Sequence, residues 1–318
     1  MMFPNSPRRQ LHLVILLGLQ PAKDACVSLR NAQIAHNNFA AILLLLVLAF
    51  VPAACAQTPS EPPAVENRDQ QTSAAPALEA QTKPLGSYIE TGGNYLALSN
   101  GFGYWAGGYS RVSYDRGADV WNGELNVQHE FGDAGAYFAL GDTHTFNSDW
   151  YGSLTFGSSA GGFFWPRYRT DAFLNKKWMA RKQLITTAGF GYYAAKDVHR
   201  DRVFYLGSTY YFEKPWIVEE GLYFNVSTPG RIFAPAGFVA LTHGRAQHQY
   251  LVLRAGLGEE AYQLIGPTVS LTQFQSQAAT LTWRRWLGNN WGFNFVSDYY
   301  HNPFYNRGGS SFGVFKEF

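Results

Sequence analysis

The sequence predicts an all-β protein, a transmembrane antiparallel β-barrel of about 14 strands. Three observations predict this fold: short segments in which apolar and polar residues alternate, aromatic residues at the ends of those segments, and a charged fraction of only 15%. Aromatic richness with a low charged fraction favours a β-rich protein over a helical one. The alternating part begins at residue 86, because all 9 Trp and all 19 Tyr follow that position.

Residues 1–56 differ from the rest and are predicted to be a signal or leader segment. The run FAAILLLLVLAFV has thirteen apolar residues, fewer than the ~20 that a membrane-spanning helix needs. Ala54-Cys55-Ala56 follows it, and this small-residue pattern predicts cleavage after Ala56. A lipid anchor on Cys55 is the alternative, although Pro52 stands where such signals usually carry Leu.

Residues 57–85 are rich in Pro, Gln and Ala and contain no aromatic residue, so we expect a disordered linker. The chain after Ala56 has no Cys, which excludes disulfides and thiolate metal sites. Its 21 Lys and Arg against 22 Asp and Glu leave a net charge of −1. No basic field attracts nucleic acid. We expect no nucleic-acid partner, no cofactor and no metal.

The alternation from residue 86 onward separates two faces of each strand. In 120–131, Trp121 and Leu125 share one face, whereas Glu124 and Asn126 share the other. A soluble sandwich also shows such alternation, with its apolar face turned inward. Segments of about ten residues favour the barrel, because a tilted strand needs that length to cross a bilayer. Aromatic residues at segment ends predict interfacial girdles, formed by residues such as Trp105, Trp121, Trp150, Trp216 and Trp291.

Turn signals divide 86–318 into fourteen strands, an even number that places both ends on one side of the membrane. Twelve strands are the alternative, because 99–135 and 259–275 admit another division. The predicted cores are 87–98, 103–114, 119–131, 136–147, 149–158, 165–178, 183–195, 202–213, 216–227, 236–244, 248–258, 276–287, 291–301 and 309–318. Longer polar stretches, at 196–201, 228–235 and 301–309, are predicted to be outer loops.

Two segments carry a resemblance to a known family. They are GGYSRVSYDRGAD at 107–119 and FNSDWYGSLTFGSSAGGFFWPRYR at 146–169. With them, residues 86–318 resemble the YaiO family of outer-membrane β-barrel proteins. The resemblance implies an outer-membrane location, with lipid and lipopolysaccharide as surroundings. It implies no defined activity, but relatives sometimes accompany surface-polysaccharide export, so a saccharide is the candidate cargo.

The chain ends SSFGVFKEF. Outer-membrane barrels in general end on Phe, with an aromatic residue two positions earlier and Gly five positions earlier. Gly313 and Phe318 match that pattern, and Lys316 stands where an aromatic residue is expected. We therefore expect Gly313 and Phe318 to form a signal for the outer-membrane assembly machinery.

Charged residues inside the strands are the candidate functional residues. An Arg or Lys facing lipid at the bilayer midplane costs ~2–4 kcal/mol, so strand charges are expected to face the interior. There they either pair with one another or line a polar passage. The lumen-lining candidates are Arg111, Glu124, Glu130, Arg254 and Asp298.

No residue pattern predicts an enzyme. The GSSAG segment at 157–161 fits a nucleophile motif but lacks its strand–turn–helix context, and we interpret it as a hairpin loop. The WRRW segment at 283–286 is interpreted as part of a girdle, with sugar contact as the alternative. We predict a non-enzymatic channel or export conduit. The alternatives are a structural or adhesive barrel with a plugged lumen and an outer-membrane hydrolase.

Overall fold

A computed structural model describes residues 87–318 except 214, and the predicted leader and linker at 1–56 and 57–85 lie outside them. The described residues form fourteen strands. These are β1 (Tyr88–Leu98), β2 (Tyr104–Arg116), β3 (Asp119–Glu130), β4 (Asp133–Thr145), β5 (Trp150–Gly161), β6 (Tyr168–Trp178), β7 (Leu184–Ala194), β8 (Arg200–Tyr211), β9 (Trp216–Thr228), β10 (Ile232–Arg245), β11 (Gln249–Leu264), β12 (Ser270–Trp286), β13 (Trp291–His301) and β14 (Asn306–Glu317).

The strands pair in chain order and antiparallel, and β14 pairs with β1 to close a barrel. The closing register runs from Tyr88 opposite Glu317 to Leu98 opposite Arg307. Closure leaves no free sheet edge in the described barrel. The predicted all-β fold with fourteen strands is confirmed, and the twelve-strand alternative is not observed. Within 87–318, no helix is long and apolar enough to cross a membrane.

Both described ends of the chain lie at one end of the barrel, which we call the terminal rim, and the opposite end is the distal rim. The terminal rim holds the connections 117–118, 146–149, 179–183, 212–215, 246–248 and 287–290. The distal rim holds the connections 99–103, 131–132, 162–167, 195–199, 229–231, 265–269 and 302–305. These distal connections are shorter than the predicted outer loops, because the strands extend into those stretches.

Aromatic residues on the outer face lie near both rims. Every outward Trp of the described barrel lies near the terminal rim: Trp121, Trp150, Trp178, Trp216, Trp283 and Trp291. Outward Tyr residues on the distal side include Tyr95, Tyr104, Tyr168 and Tyr299, whereas Tyr114 lies opposite Trp121 near the terminal rim. Apolar side chains such as Leu125 and Phe204 fill the band between them. This is the arrangement of a membrane barrel with two aromatic girdles.

Trp105 does not belong to either girdle, so its predicted position was wrong. It lies on the inner face of β2 and is completely buried. It packs with Leu96, Tyr300 and Tyr305 near the distal rim. Successive side chains of a strand point to opposite faces. Because Tyr104 points outward, Trp105 must point into the barrel.

Inner-face aromatic rings lie flat across glycines of neighbouring strands. Tyr109 of β2 crosses Gly92 of β1 and Gly313 of β14, where a Cβ on Gly313 would lie 2.2 Å from the Tyr109 hydroxyl oxygen. Tyr137 crosses Gly157 in the same way, with 2.0 Å between the added Cβ and its hydroxyl oxygen. Glycine is therefore required at these wall positions by close approach of a ring.

We predict that Gly313→Ala lowers the free energy of unfolding by ~1–3 kcal/mol, because the added methyl group overpacks against Tyr109. Gly108→Ala is the matched control, since Gly108 faces outward and an added Cβ there meets its nearest atom at 3.5 Å. Urea unfolding of the bilayer-embedded barrel measures both. Equal stability of the two variants would contradict the steric role of Gly313.

Candidate functional site

The inner face of the barrel carries the five charged residues that the sequence predicts. The structure places Arg111 on β2, Glu124 and Glu130 on β3, Arg254 on β11 and Asp298 on β13, each in the inward alternation of its strand. Glu130 is buried at the distal end of β3. They do not form one site, because they divide among separate networks along the wall.

Arg111 and Glu124 form one ion pair between neighbouring strands. Arg111 Nη2 lies 3.3 Å from Glu124 Oε1, and Asn126 Nδ2 donates to the same oxygen at 2.7 Å. The Arg111 guanidinium also lies 5.0 Å from the centre of the Tyr109 ring. Opposite charges therefore neutralise each other across β2 and β3.

Glu90 is the centre of a neighbouring network that sequence analysis missed. It is 2% exposed. Arg284 Nη1 lies 2.8 Å from one carboxylate oxygen, and Tyr109 and Asn294 donate to the other at 3.0 and 3.2 Å. Alternation within β1 indicates the inward direction of Glu90. Its partner on β12 is 194 residues away, and no local pattern identifies it.

The WRRW segment at 283–286 divides between the two faces, so its interpretation as a girdle holds for only half of it. Trp283 and Arg285 face outward. Arg284 turns inward to Glu90, and Trp286 Nε1 donates inside the barrel to Glu317 Oε1 at 2.9 Å. A strand cannot place four consecutive side chains on one face.

Asp298 pairs with Arg307, a second interior residue that the sequence analysis did not identify. Arg307 Nε lies 3.4 Å from Asp298 Oδ1, and the Arg307 side chain is 1% exposed. Its guanidinium lies 4.4 Å from the ring centre of Trp105 and 4.7 Å from that of Tyr300. The alternation of side chains along β14 is the sequence signal that could have placed Arg307 on the inner face.

Arg254 differs from the other interior arginines because no salt bridge joins it to a carboxylate among the described residues. Its guanidinium is 3.5 Å from the ring centre of Phe238 and also reaches the hydroxyl of Tyr223. Tyr205 adjoins Tyr223, with 4.7 Å between ring centres, and Tyr223 lies 5.9 Å from Phe238. We call Tyr205, Tyr223 and Phe238, from consecutive strands β8, β9 and β10, the aromatic floor.

The β11–β12 hairpin continues beyond its neighbours at the distal rim. Pairing of β11 with β10 ends at Gly258, but pairing with β12 continues to Leu264 opposite Ser270. From Gly258 to Leu264 every residue of β11 is buried, so the alternation of faces stops there. Gln273, in the opposite arm, has a φ of 47°, which interrupts regular extended backbone. We call residues 259–275 the mouth hairpin.

Contacts from the mouth hairpin reach distant parts of the distal rim. Glu260 Oε1 accepts a 2.5 Å hydrogen bond from the Tyr300 hydroxyl on β13. Gln263 Nε2 donates to the Tyr305 hydroxyl at 2.7 Å. On the other side, Tyr262 donates to Asp201 of β8 at 3.4 Å and stacks on His199 with ring centres 3.7 Å apart. The hairpin therefore crosses the distal mouth, and the sequence analysis did not predict it.

The connection 162–167 is a second segment that turns inward at the distal rim. Phe164 and Trp165 are buried, and Trp165 stacks on Tyr137 of the inner wall with ring centres 5.0 Å apart. Lys196 Nζ donates to the Gly162 carbonyl at 3.1 Å. Burial lowers the pKa of the Lys196 ammonium, and the nearby Asp133 carboxylate opposes that shift.

The GSSAG segment lies within β5, so its interpretation as a hairpin loop was wrong. The connection to β6 begins one residue later, at 162. The Ser158 hydroxyl donates to the Arg167 carbonyl at 2.8 Å, and the Ser159 hydroxyl donates to the Pro166 carbonyl at 2.5 Å. Both hydroxyls serve the local backbone, and the helix that a nucleophile elbow requires does not follow.

One group of three potential metal ligands occurs in the described residues, on the outer face near the terminal rim. Asp119, Asp142 and His144 present ligand atoms within 4.8 Å of one another. His144 Nδ1 lies 2.5 Å from Asp119 Oδ1, so a histidine–carboxylate hydrogen bond accounts for their proximity. The group lies apart from the interior networks.

At the end of the chain, Phe318 is 66% exposed, and its N–H donates to the Ser87 carbonyl at 2.8 Å. Lys316 faces outward, and its ammonium donates to Asn290 Oδ1 at 2.9 Å. The ring of Phe318 thus remains available at the terminal rim.

Similar solved structures share the barrel fold at very low identity. A mutant of the monoaromatic hydrocarbon channel TodX is 9% identical, with 74% of this chain and 91% of that chain covered and a TM-score of 0.51. The CymD monoaromatic hydrocarbon channel is 7% identical, with 74% and 89% covered and a TM-score of 0.50. A bacterial polysaccharide outer membrane secretin is 10% identical, with 75% and 100% covered and a TM-score of 0.45. No curated protein sequence matches the chain.

The closed antiparallel barrel, its outward apolar band and its two girdles define a membrane β-barrel of the outer-membrane type. The model of the YaiO membrane beta barrel domain matches residues 87–263, which is more than half of the sequence. The chain belongs to the YaiO family, as its resemblance in 107–119 and 146–169 predicted.

We predict that Arg284→Met lowers the free energy of unfolding by ~3–5 kcal/mol, because it leaves the buried Glu90 carboxylate without its cation. Arg285→Met is the matched control, since Arg285 faces outward at the next position of the same strand. Denaturant titration of the folded barrel compares the two. Equal losses would show that the Glu90–Arg284 pair contributes no more than a surface arginine.

Removal of Phe318 is predicted to reduce membrane insertion far more than Lys316→Tyr does. The exposed ring contributes little to packing, so its loss acts on recognition during assembly, whereas Lys316 lies near the interface where its ammonium reaches polar groups. Insertion yield in cells, measured by the heat-modifiable mobility of the folded barrel, checks this. Equal yields of the truncated and full-length chains contradict it.

Proposed function

We propose that this protein is a non-enzymatic channel or export conduit of the outer membrane, closed at rest by the mouth hairpin. The observation that carries the proposal is the path of residues 259–275, which cross the distal mouth above a wall of polar and charged side chains. A barrel of fourteen strands is wide enough to enclose a passage.

The attachments of the mouth hairpin favour a gate over a permanent plug. Glu260, Tyr262 and Gln263 attach the hairpin through hydrogen bonds to polar side chains, and Tyr262 also stacks on His199. Such bonds contribute only ~0.5–1.5 kcal/mol each, because water replaces them readily. A plugged structural or adhesive barrel is the alternative, and it requires the hairpin to stay in place.

The interior favours a hydrophilic cargo, and we propose a saccharide, the cargo class that the family resemblance implies. Ionised pairs such as Arg111–Glu124 and Arg169–Asp171 line the wall. Hydrocarbon gains nothing by contacting such groups, whereas hydroxyl-rich molecules hydrogen-bond to them. Aromatic rings between the pairs provide faces for sugar rings.

The surroundings follow from the same geometry. The distal rim carries Arg200, Arg202 and Arg231 near the outer face, where cations suit the phosphate groups of lipopolysaccharide. The Trp girdle at the terminal rim suits the periplasmic lipid interface. We propose that residues 1–56 direct export and that Gly313 and Phe318 engage the assembly machinery.

Single-channel recording in planar bilayers tests the gate. We expect small and infrequent openings for the wild-type chain and large steady currents when 261–273 are replaced by Asn-Gly, a two-residue hairpin turn. Tyr300→Phe, which removes the hydroxyl that donates to Glu260 and accepts from Asn302, is expected to give intermediate opening. Tyr299→Phe is the control, because Tyr299 faces outward on the same strand.

Silence of both the wild-type and the shortened chains, with each confirmed as folded, would overturn the conduit and favour the plugged barrel. Equally large currents from both chains would contradict a gating role of the mouth hairpin but would still support a conduit. Because the shortened hairpin retains every barrel strand below Glu260, its folding is checked by the same heat-modifiable mobility as the wild type.

A further inference from the structure

We propose that Arg254 and the aromatic floor form a binding site for a carboxylate-bearing saccharide, such as a chain of uronic acid residues. The proposal deepens the conduit function, on which it rests for access of the cargo to the interior. It assigns the charge class of that cargo, which neither the fold nor the family determines.

The interior arginines show why Arg254 stands apart. Four of them have carboxylate partners: Arg111 pairs with Glu124, Arg169 with Asp171, Arg284 with Glu90 and Arg307 with Asp298. Among the described residues, no salt bridge joins Arg254 to a carboxylate, although Glu219 is close enough for its charge to interact with that of Arg254. A guanidinium partly removed from water keeps an unmet demand for an anion. A ligand carboxylate meets that demand with two parallel hydrogen bonds.

The aromatic floor supplies the other half of the site. Its three rings come from adjacent strands and lie low on the wall because glycines make room for them. A Cβ on Gly221 would lie 2.4 Å from the Phe238 ring, and one on Gly207 would lie 2.2 Å from the Tyr205 hydroxyl oxygen. The Arg254 guanidinium covers a face of Phe238, so Tyr205 and Tyr223 are the rings on which a sugar can stack.

Glu219 completes the polar character of the site. It lies on the inner face of β9, next to the floor, and its charge interacts with that of Arg254 without a direct ion pair. A carboxyl oxygen at this position can accept hydrogen bonds from sugar hydroxyls. The site therefore offers rings for stacking, a cation for a carboxylate and an acceptor for hydroxyl groups. This combination fits an acidic sugar better than it fits a simple anion.

The test uses oligogalacturonate, a neutral dextrin of equal length and acetate as probes. In planar bilayers, the chain with the shortened mouth hairpin is expected to show current block by oligogalacturonate at concentrations where dextrin and acetate give none. Arg254→Gln is expected to weaken that block by about 10-fold or more, because the bidentate ion pair is lost. Arg254→Lys is expected to restore part of it.

Arg285→Gln is the control, because Arg285 faces outward on β12 and does not line the lumen. A drop equal to that of Arg254→Gln would overturn the assignment to Arg254. Equal block by acetate would show a simple anion site, and equal block by dextrin would show a sugar site that ignores charge. Either result overturns the proposal.

Calorimetric titration of the folded full-length protein and of the shortened-hairpin chain in detergent separates this proposal from the conduit. If the barrel binds oligogalacturonate in a manner that depends on Arg254 but passes no current, the binding-site proposal stands and the conduit proposal is wrong. If the shortened-hairpin chain passes current but neither binds oligogalacturonate nor is blocked by it, the conduit proposal stands and the binding-site proposal is wrong.

Discussion

Within a bilayer, every backbone N–H and C=O group needs a hydrogen-bond partner inside the protein, and the rest of this structure depends on that constraint. The ladder between β1 and β14 meets it by closing the sheet. Closure fixes the alternation of every strand, since one face must contact lipid and the other must enclose the interior. The aromatic girdles follow from the same requirement, because ring and hydroxyl groups are best placed where lipid meets water.

Closure also forces charged residues into a confined space, where they are arranged in pairs. Glu90 with Arg284 joins strands that lie far apart in the sequence, and Asp298 with Arg307 joins the consecutive strands β13 and β14. Removal of one partner leaves a buried charge, so the pairs constrain one another even though each complete pair adds little net stability. Arg254 is the exception, because its guanidinium lies on the Phe238 ring and forms no salt bridge with a carboxylate among the described residues. An exception of this kind marks a position where a ligand can supply the missing charge.

The mouth hairpin is where the barrel departs from its own pattern. Before Gly258, the side chains of β11 alternate between the lipid-facing and the inner side of the wall. From Gly258 to Leu264, side chains on both faces of the strand are buried. A segment outside the membrane wall does not need alternating apolar and polar side chains. For this reason the sequence pattern did not define strands in 259–275. The same segment contacts β8, β13 and the connection 302–305, so its position is a property of the assembled rim.

By itself, the sequence predicted the all-β barrel, the inward and outward sets of β3 and the family, because alternation and turn signals are local. It favoured fourteen strands but left twelve open, and the closed barrel decided between them. It also indicated that charges such as Arg111 and Glu124 belong on the inner face. Only the tertiary structure decided which charges meet, that Trp105 lies inside, and that Gly313 makes room for the Tyr109 ring. Partners such as Glu90 and Arg284 come together only when the barrel closes, and contacts across nearly two hundred residues leave no local trace in the chain.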